Sequence, residues 1–100
     1  MTEEYGMKLR IIIPFKWGTV IITPAAQATI RDTDILTAFG RHVSCDWGEI
    51  SDNDWEINND SVLHGVGLIH SVYKNHDDVK FWIITEADRS VTTVLLPSDY

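Results

Sequence analysis

The last third of the chain alternates between apolar runs and short polar segments. Three runs rich in β-branched and aromatic residues predict strands: "LIHSVY" (68–73), "VKFWIIT" (79–85) and "VTTVLL" (91–96). The segments between them, "KNHDD" and "EADRS", are short enough for antiparallel hairpins. In the middle run, Phe81 and Ile83 alternate with Trp82 and Ile84, so both faces of that strand are apolar. We therefore expect helices on one face and further protein on the other, which leaves room for a homodimer.

The first quarter of the chain contains two more β-branched runs, "KLRIII" (8–13) and "TVII" (19–22). The connection "PFKWG" is punctuated by a proline and a glycine, which predicts a hairpin or two consecutive strands. Thr23 followed by Pro24 is typical of a helix N-cap with proline at the first helical position. A short helix should therefore follow.

The middle of the chain changes to helical spacing. Apolar residues three and four apart predict a helix over about 33–44 with one apolar face: Ile35, Leu36, Phe39 and Val43. Asp32 or Thr33 would cap its start. Another helix should begin after Ser51, whose spacing to Asp54 resembles a capping box. The predicted order is β-β-α-α-α-β-β-β, a single α+β domain over residues 1–100 in which an antiparallel sheet of about five strands carries two or three short helices.

The last predicted helix lies in the most acidic part of a chain whose net charge is −7. The stretch "HVSCDWGEISDNDWEINND" (42–60) has six carboxylates and two tryptophans but no lysine or arginine. Such a field repels phosphates and anionic membranes and attracts basic surfaces. We therefore expect a basic protein partner, without direct DNA binding or membrane association. The candidate partner-binding residues are Asp46, Trp47, Glu49, Asp52, Trp55, Glu56 and Asp60.

A competing interpretation gives the same carboxylates a structural role. Asp52 and Asp54 would stabilise the helix start, and a stripe formed by Asp52, Glu56 and Asp60, four residues apart, would only keep the surface polar. In either case Trp55 and Val62, seven residues apart, should point inward.

Few residues have the spacing of a catalytic or metal site. His42 and Asp46 lie four apart, so a continuing helix would bring imidazole and carboxylate together, with a structural hydrogen bond as the favoured interpretation. His64, His70 and His76 recur every six residues, which matches no common ligand spacing. The sequence therefore leaves the question of an enzyme open but favours a protein that is not one, with no catalytic residues, metal or cofactor assigned.

The turn "TEADRS" (85–90) allows two interpretations. Glu86, Asp88 and Arg89 form either a hydrogen-bonded turn or a site for a small anionic ligand. An enzymatic alternative, a small metal-dependent hydrolase or nuclease, would use His42, Asp46, Glu86 and Asp88, and requires them to converge.

Two blocks of the sequence, "RHVSCDWGEIS…D…N" and "WIITEADRSVTTVLLPSDY", resemble a family of small plasmid-related proteins of plasmids and integrative elements, some of which are labelled type I restriction subunits. The chain departs from that family's pattern at Cys45, where glycine is usual, and at Trp55, where polar residues are usual. The resemblance implies a mobile genetic element and no known reaction. Our leading hypothesis is a non-enzymatic interaction protein that inhibits a host defence nuclease, as anti-CRISPR or anti-restriction proteins do.

The cellular compartment is predicted from two features. Cys45 is the single cysteine and has no partner for an internal disulfide, and the acidic start "MTEEYGMK" does not resemble a secretion signal. We therefore expect a cytoplasmic protein.

Overall fold

The computed structural model describes residues 13–100 and places four strands and three helices there, which confirms the α+β class. The elements are β1 (Thr19–Ile22), α1 (Pro24–Thr29), α2 (Asp32–Val43), α3 (Asp52–His64), β2 (Ile69–Lys74), β3 (Lys80–Thr85), β4 (Val91–Leu95) and a short 3-10 helix (Pro97–Asp99). Residues 8–12 of the first predicted strand lie outside the described residues. No helix within 13–100 is long and apolar enough to cross a membrane.

The four strands form one mixed sheet in the order β1-β4-β3-β2. The hairpins predicted for β2, β3 and β4 are confirmed, and all three strands pair antiparallel. The prediction of a purely antiparallel sheet of about five strands is wrong, because β1 pairs parallel with β4, from Thr19 opposite Val91 to Ile22 opposite Val94. Three helices separate β1 from the other strands, and that length of chain allows β1 to lie beside β4 in the same direction.

Sheet and helices enclose a core between them. Tyr73, Phe81, Ile83 and Val94 face α1 and α2, where they pack with Ala26, Ile30, Ile35 and Ala38. The buried positions of α2 are Ile35, Ala38 and His42, whereas Leu36, which we expected on the apolar face, is 69% exposed. The residue before α2 is Arg31, so neither Asp32 nor Thr33 is its N-cap; Asp32 lies in the first turn, where its charge favours the helix dipole.

The predicted start of α1 is confirmed. Thr23 Oγ1 accepts a hydrogen bond from the amide of Ala26 at 3.1 Å, and Pro24 occupies the first turn. The same hydroxyl donates to Asp99 Oδ2 at 2.7 Å, which ties the start of α1 to the C-terminal 3-10 helix.

The outer edge of β2 is closed by the segment that precedes α3 and by α3 itself. Val72 exchanges backbone hydrogen bonds with Trp47 and Glu49, at 3.1 and 2.7 Å. Two residues earlier, the Asn58 side chain donates to the carbonyl of His70 at 2.8 Å and accepts from its amide at 3.2 Å. The Asn58 amide thus makes the two hydrogen bonds that a neighbouring strand would make to the backbone of His70. These bonds also fix α3 beside β2.

Candidate functional site

The acidic helix α3 is held in place at its start by the residues that the sequence indicated. Ser51 Oγ accepts a hydrogen bond from the Asp54 amide at 3.0 Å, as an N-cap should. Ile50 and Trp55, on either side of this cap, both pack against the buried cluster of Phe15, Trp47 and Ile69. That packing turns one face of α3 inward, so the face that carries Asp52, Glu56 and Asp60 is exposed.

The carboxylates of α3 differ from the other acids of the predicted site in their neighbours. Asp46 pairs with Arg41 at 2.8 Å, and Glu49 pairs with Lys74 at 3.4 Å. No described lysine, arginine or histidine lies within 4.0 Å of the carboxylates of α3: Asp52, Asp54, Glu56 and Asp60. The predicted site therefore divides into two internally paired acids and a set on one helix that has no described counter-charge in contact.

Asp46 is held by hydrogen bonds from its own chain. Arg41 donates to it from Nε and Nη2, at 2.8 and 3.1 Å, and the amide of Gly48 donates at 3.3 Å. The Arg41 hydrogen bond is the main reason that the pKa of Asp46 lies below its ordinary value. The Arg41 guanidinium also lies 4.9 Å from the centre of the Tyr73 ring, so this ion pair covers the sheet beside α2.

Of the two tryptophans in the acidic stretch, Trp47 belongs to the interior. It is fully buried, and its indole Nε1 donates to Asn59 Oδ1 at 2.9 Å. A partner cannot reach this ring on the folded protein, so Trp47 is not part of the exposed surface. Trp55 is half-buried and contributes a part of its ring to that surface.

A cavity of about 260 Å³ lies between α3 and β2, in a place that the sequence did not indicate. Four apolar side chains line it: Ile50, Ile57, Leu68 and Val72. Three polar side chains complete the lining: Asp54, Asn58 and His70. Both functional groups of the Asn58 amide are used on the backbone of His70. The Asp54 carboxylate and the His70 ring therefore supply the uncommitted polar groups of the cavity.

The His70 ring has an unused hydrogen-bonding atom. Its Nε2 is buried, and it is the single such side-chain nitrogen or oxygen in residues 13–100 without a hydrogen-bond partner. The ring packs edge-on against Trp82, with 4.5 Å between the centroids. Burial lowers the pKa of His70, and the nearby Asp54 charge opposes that change only in part, so the ring is neutral at pH 7.

His42 does not pair with Asp46 as the spacing suggested. Its Nδ1 lies 2.6 Å from Ser71 Oγ, and its Nε2 lies 2.8 Å from Thr85 Oγ1. These contacts continue as a chain of hydrogen bonds. The Thr85 hydroxyl lies 2.7 Å from that of Thr92, and Thr92 donates to the carbonyl of Trp17 at 2.7 Å. The imidazole is fully buried on the helix-facing side of the sheet, so it is a core residue.

The direction of this hydrogen-bond chain fixes the form of the His42 ring. A carbonyl can only accept, so Thr92 must donate to Trp17, and Thr85 must then donate to Thr92. Thr85 is left to accept from His42 Nε2–H, and Nδ1 accepts from Ser71. Burial lowers the pKa of His42 to about 3, which is consistent with a neutral ring in this arrangement.

The turn between β3 and β4 is organised by internal hydrogen bonds. Asp88 Oδ1 accepts from the amide and the hydroxyl of Ser90, at 3.0 and 2.6 Å, and these bonds lower the pKa of Asp88. Arg89 Nη1 donates to three backbone carbonyls, the shortest bond being 2.7 Å to Gly67, and Nη2 donates to the carbonyl of Ser61 at 2.9 Å. Ser61 is in the last turn of α3, and its carbonyl also accepts from the amide of Gly65 at 2.9 Å. The structural interpretation of this turn therefore accounts for both side chains.

Arg89 also borders a second cavity, of about 300 Å³, together with Lys16, Trp17 and Gly18. The guanidinium is directed towards backbone carbonyls, so two of its nitrogens are already engaged. Glu86 is exposed, and its carbonyl, rather than its carboxylate, contacts Arg89. Binding of a small anion at this turn remains a prediction.

The residues of the enzymatic alternative are held in separate places. His42 is buried against Ser71 and Thr85, Asp46 is paired with Arg41, and Asp88 is bonded to Ser90. Within residues 13–100 no group of three or more His, Cys, Asp or Glu side chains is close enough to hold a metal ion.

Comparison with known protein families, curated proteins and solved structures found no match to this chain. The resemblance to plasmid-related proteins therefore stays a prediction.

Proposed function

We propose that this protein is a non-enzymatic interaction protein that binds a basic surface of a partner protein through the exposed acidic face of α3. The observation that carries the proposal is the set of Asp52, Asp54, Glu56 and Asp60 on one helix, without a described basic side chain within 4.0 Å of any of them.

This arrangement costs the isolated protein some stability. Asp52, Glu56 and Asp60 are spaced four apart, and like charges at that spacing destabilise a helix by about 0.2–0.5 kcal/mol per pair. A cationic surface placed against the helix would relieve this repulsion. It would also accelerate encounter, since opposite potentials steer two proteins together.

The frame around these charges suits a binding surface. Ser51 caps the helix, Asn58 fixes it to β2, and Trp55 anchors it to the core, so the carboxylates keep a defined spacing. Carboxylates on a rigid helix can occupy a groove built for phosphates. Together with the resemblance to plasmid-related proteins, this favours an inhibitor of a nucleic-acid-binding defence nuclease as the specific form of the proposal.

Charge reversal tests the proposal. The double variant Glu56→Lys, Asp60→Lys changes the net charge from −7 to −3, since each substitution adds two charges. The control Asp32→Lys, Asp77→Lys changes two exposed acids outside α3 and gives the same net charge. Calorimetric titration with an octalysine peptide at low salt should show affinity lowered about tenfold or more by the α3 variant and about threefold or less by the control.

Two results would contradict the proposal. Equal losses in the two variants would mean that net charge, rather than α3, attracts the peptide. Unchanged binding by the α3 variant at low salt would place the interaction elsewhere. Circular dichroism of both variants checks that the fold is retained.

A further inference from the structure

The cavity between α3 and β2 differs from the rest of the acidic face because it is both apolar and charged. Ile57 and Leu68, which line it, are 52% and 41% exposed, so apolar side chains reach the surface at its rim. Asp54, which also lines it, is exposed and has no described basic neighbour within 4.0 Å. An apolar opening beside a carboxylate that has no described counter-charge in contact fits a group with an apolar stem and a cationic end.

The size of the cavity favours a side chain over a separate ligand. At about 260 Å³ it is smaller than the roughly 300–1,000 Å³ of pockets that bury drug-sized ligands. Long basic side chains place their methylene stems on apolar surface and keep the charged end in polar surroundings. The apolar walls and the carboxylate match these two parts.

We propose that this cavity receives an arginine side chain of the partner, with the stem between Ile57 and Leu68 and the guanidinium paired with Asp54. The inference rests on the proposed function, and it adds a contact on the side of α3 that faces β2. Surrounding acids on the same helix, Asp52 and Glu56, would raise the local concentration of basic partners without entering the cavity.

His70 favours arginine over lysine. Its neutral ring is one of the side chains that line the cavity, although its unpartnered Nε2 is buried below the accessible surface. A guanidinium is planar, has five donors and stacks on rings, so it can donate to the Asp54 carboxylate while it packs on the His70 ring. The ammonium of lysine is a compact and strongly hydrated charge that loses more water on entering such a site.

Amides of single amino acids test the cavity without a known partner. N-acetyl-arginine amide is titrated into the full chain and followed by amide and methyl NMR, with N-acetyl-lysine amide and N-acetyl-citrulline amide as comparisons. Citrulline has nearly the shape of arginine but no charge. We expect saturable shifts at Ile57, Leu68 and His70 with the arginine compound, in the millimolar range expected for one side chain. The lysine and citrulline compounds should bind at least about fivefold more weakly.

A matched pair of variants locates the charge. Asp54→Asn and Asp52→Asn each remove one carboxylate from the first turn of α3, but only Asp54 lines the cavity. Asp54→Asn should weaken binding of the arginine compound about fivefold, and Asp52→Asn about twofold or less. Dispersed amide spectra of both variants show that each is folded.

The outcomes separate this inference from the proposed function. If octalysine binds through α3 while the arginine compound causes no saturable shift at the cavity, the inference is wrong and the proposed function stands. Equal binding of the arginine and lysine compounds, or equal effects of the two aspartate variants, would also overturn it. If octalysine does not bind the unmodified protein, the proposed function fails. The arginine titration then tests only whether the cavity binds an arginine side chain.

Discussion

A single buried histidine illustrates how residue-scale chemistry determines stability. His42 is hydrogen-bonded to two neutral hydroxyls, so a proton on its ring would carry a charge with no carboxylate of residues 13–100 in contact. The hydrogen-bond chain fixes Nε2–H as the donor to Thr85, so in the neutral ring Nδ1 accepts from Ser71, and protonation would remove that acceptor. Both effects favour the neutral ring in the folded state.

This predicts a specific acid sensitivity. The pKa of His42 is 6.5 in the unfolded chain and about 3 in the folded one, so the unfolded state binds more protons between these values. Stability due to His42 is therefore complete above pH 6.5 and is lost as the pH falls towards 3. Between pH 7 and pH 5 the contribution of His42 to the free energy of unfolding should decrease by about 2 kcal/mol, measured by urea denaturation. His70, whose pKa burial also lowers, adds a further loss in the same interval.

The variant His42→Gln is the control for this titration. It should be less stable than the unmodified protein at pH 7, but between pH 7 and pH 5 its free energy of unfolding should fall by about 2 kcal/mol less, because only the contribution of groups such as His70 remains. Carboxylates such as Asp46 and Asp88, whose pKa values are lowered, take up protons below pH 5 and affect both proteins alike. If the two proteins lose equal stability over the interval, His42 is not the titrating group.

At the scale of elements, Arg89 connects the β3–β4 turn to the end of α3. It donates to the carbonyl of Ser61 in the last turn of α3 and to that of Gly67 in the loop that follows. These carbonyls lie at or just beyond the C-terminal end of α3, where a positive charge favours the helix dipole. Arg89 also has a φ of 63°, a strained value for a residue with a side chain, which the carbonyl bonds offset.

Arg89→Ala should therefore destabilise the fold by about 1–2 kcal/mol, since it removes hydrogen bonds from a charged donor while it keeps a side chain at the positive φ. Urea denaturation measures the loss, and hydrogen exchange should show the greatest increase in the last turn of α3. Arg89→Lys is the comparison, because it keeps the charge but not the several donors. A lysine variant as stable as the unmodified protein would mean that charge alone accounts for the contact.

Local rules predicted the elements of this fold but not their partners. The caps at Thr23 and Ser51 and the strands β2, β3 and β4 follow from residues within a few positions of one another, and all are present. The pairing of β1 with β4 and the bond between His42 and Thr85 join residues far apart in sequence. No periodicity encodes such contacts. Asn58 was missed for the same reason, since its function on the edge of β2 depends on where α3 packs.

The sequence likewise predicted one part of the acidic surface and missed another. The four-residue spacing of Asp52, Glu56 and Asp60 predicted an acidic stripe, and all three residues are exposed on one face of α3. That Asp46 would be neutralised by Arg41 and that Trp47 would be buried depend on how the segment before α3 folds back on β2. The cavity at His70 likewise exists only after α3 and β2 are placed together.

At the scale of the whole molecule, the fold is closed by a contact between the start and the end of the described chain. β1 joins β4 where the amide of Thr19 donates to the carbonyl of Ser90 at 3.0 Å. Gly18 lies at this junction with a φ of 64°, and a Cβ atom there would be 2.0 Å from the Ser90 oxygen. The next residue inward, Trp17, supplies the carbonyl that ends the buried hydrogen-bond chain. Closure of the sheet and order in the core therefore depend on the same few atoms.

Gly18→Ala should consequently be among the most damaging small substitutions in this protein. Its methyl group meets both an unfavourable φ and a backbone oxygen that cannot move without separating β1 from β4, so we expect a loss of about 3 kcal/mol or more. Gly65→Ala is the matched control: its φ is 68°, but nothing lies within 4 Å of the added atom. That control should lose only about 1 kcal/mol, from the backbone conformation alone. Urea denaturation followed by tryptophan fluorescence measures both, and similar losses in the two variants would mean that the β1–β4 junction adjusts to the methyl group and does not hold the fold closed.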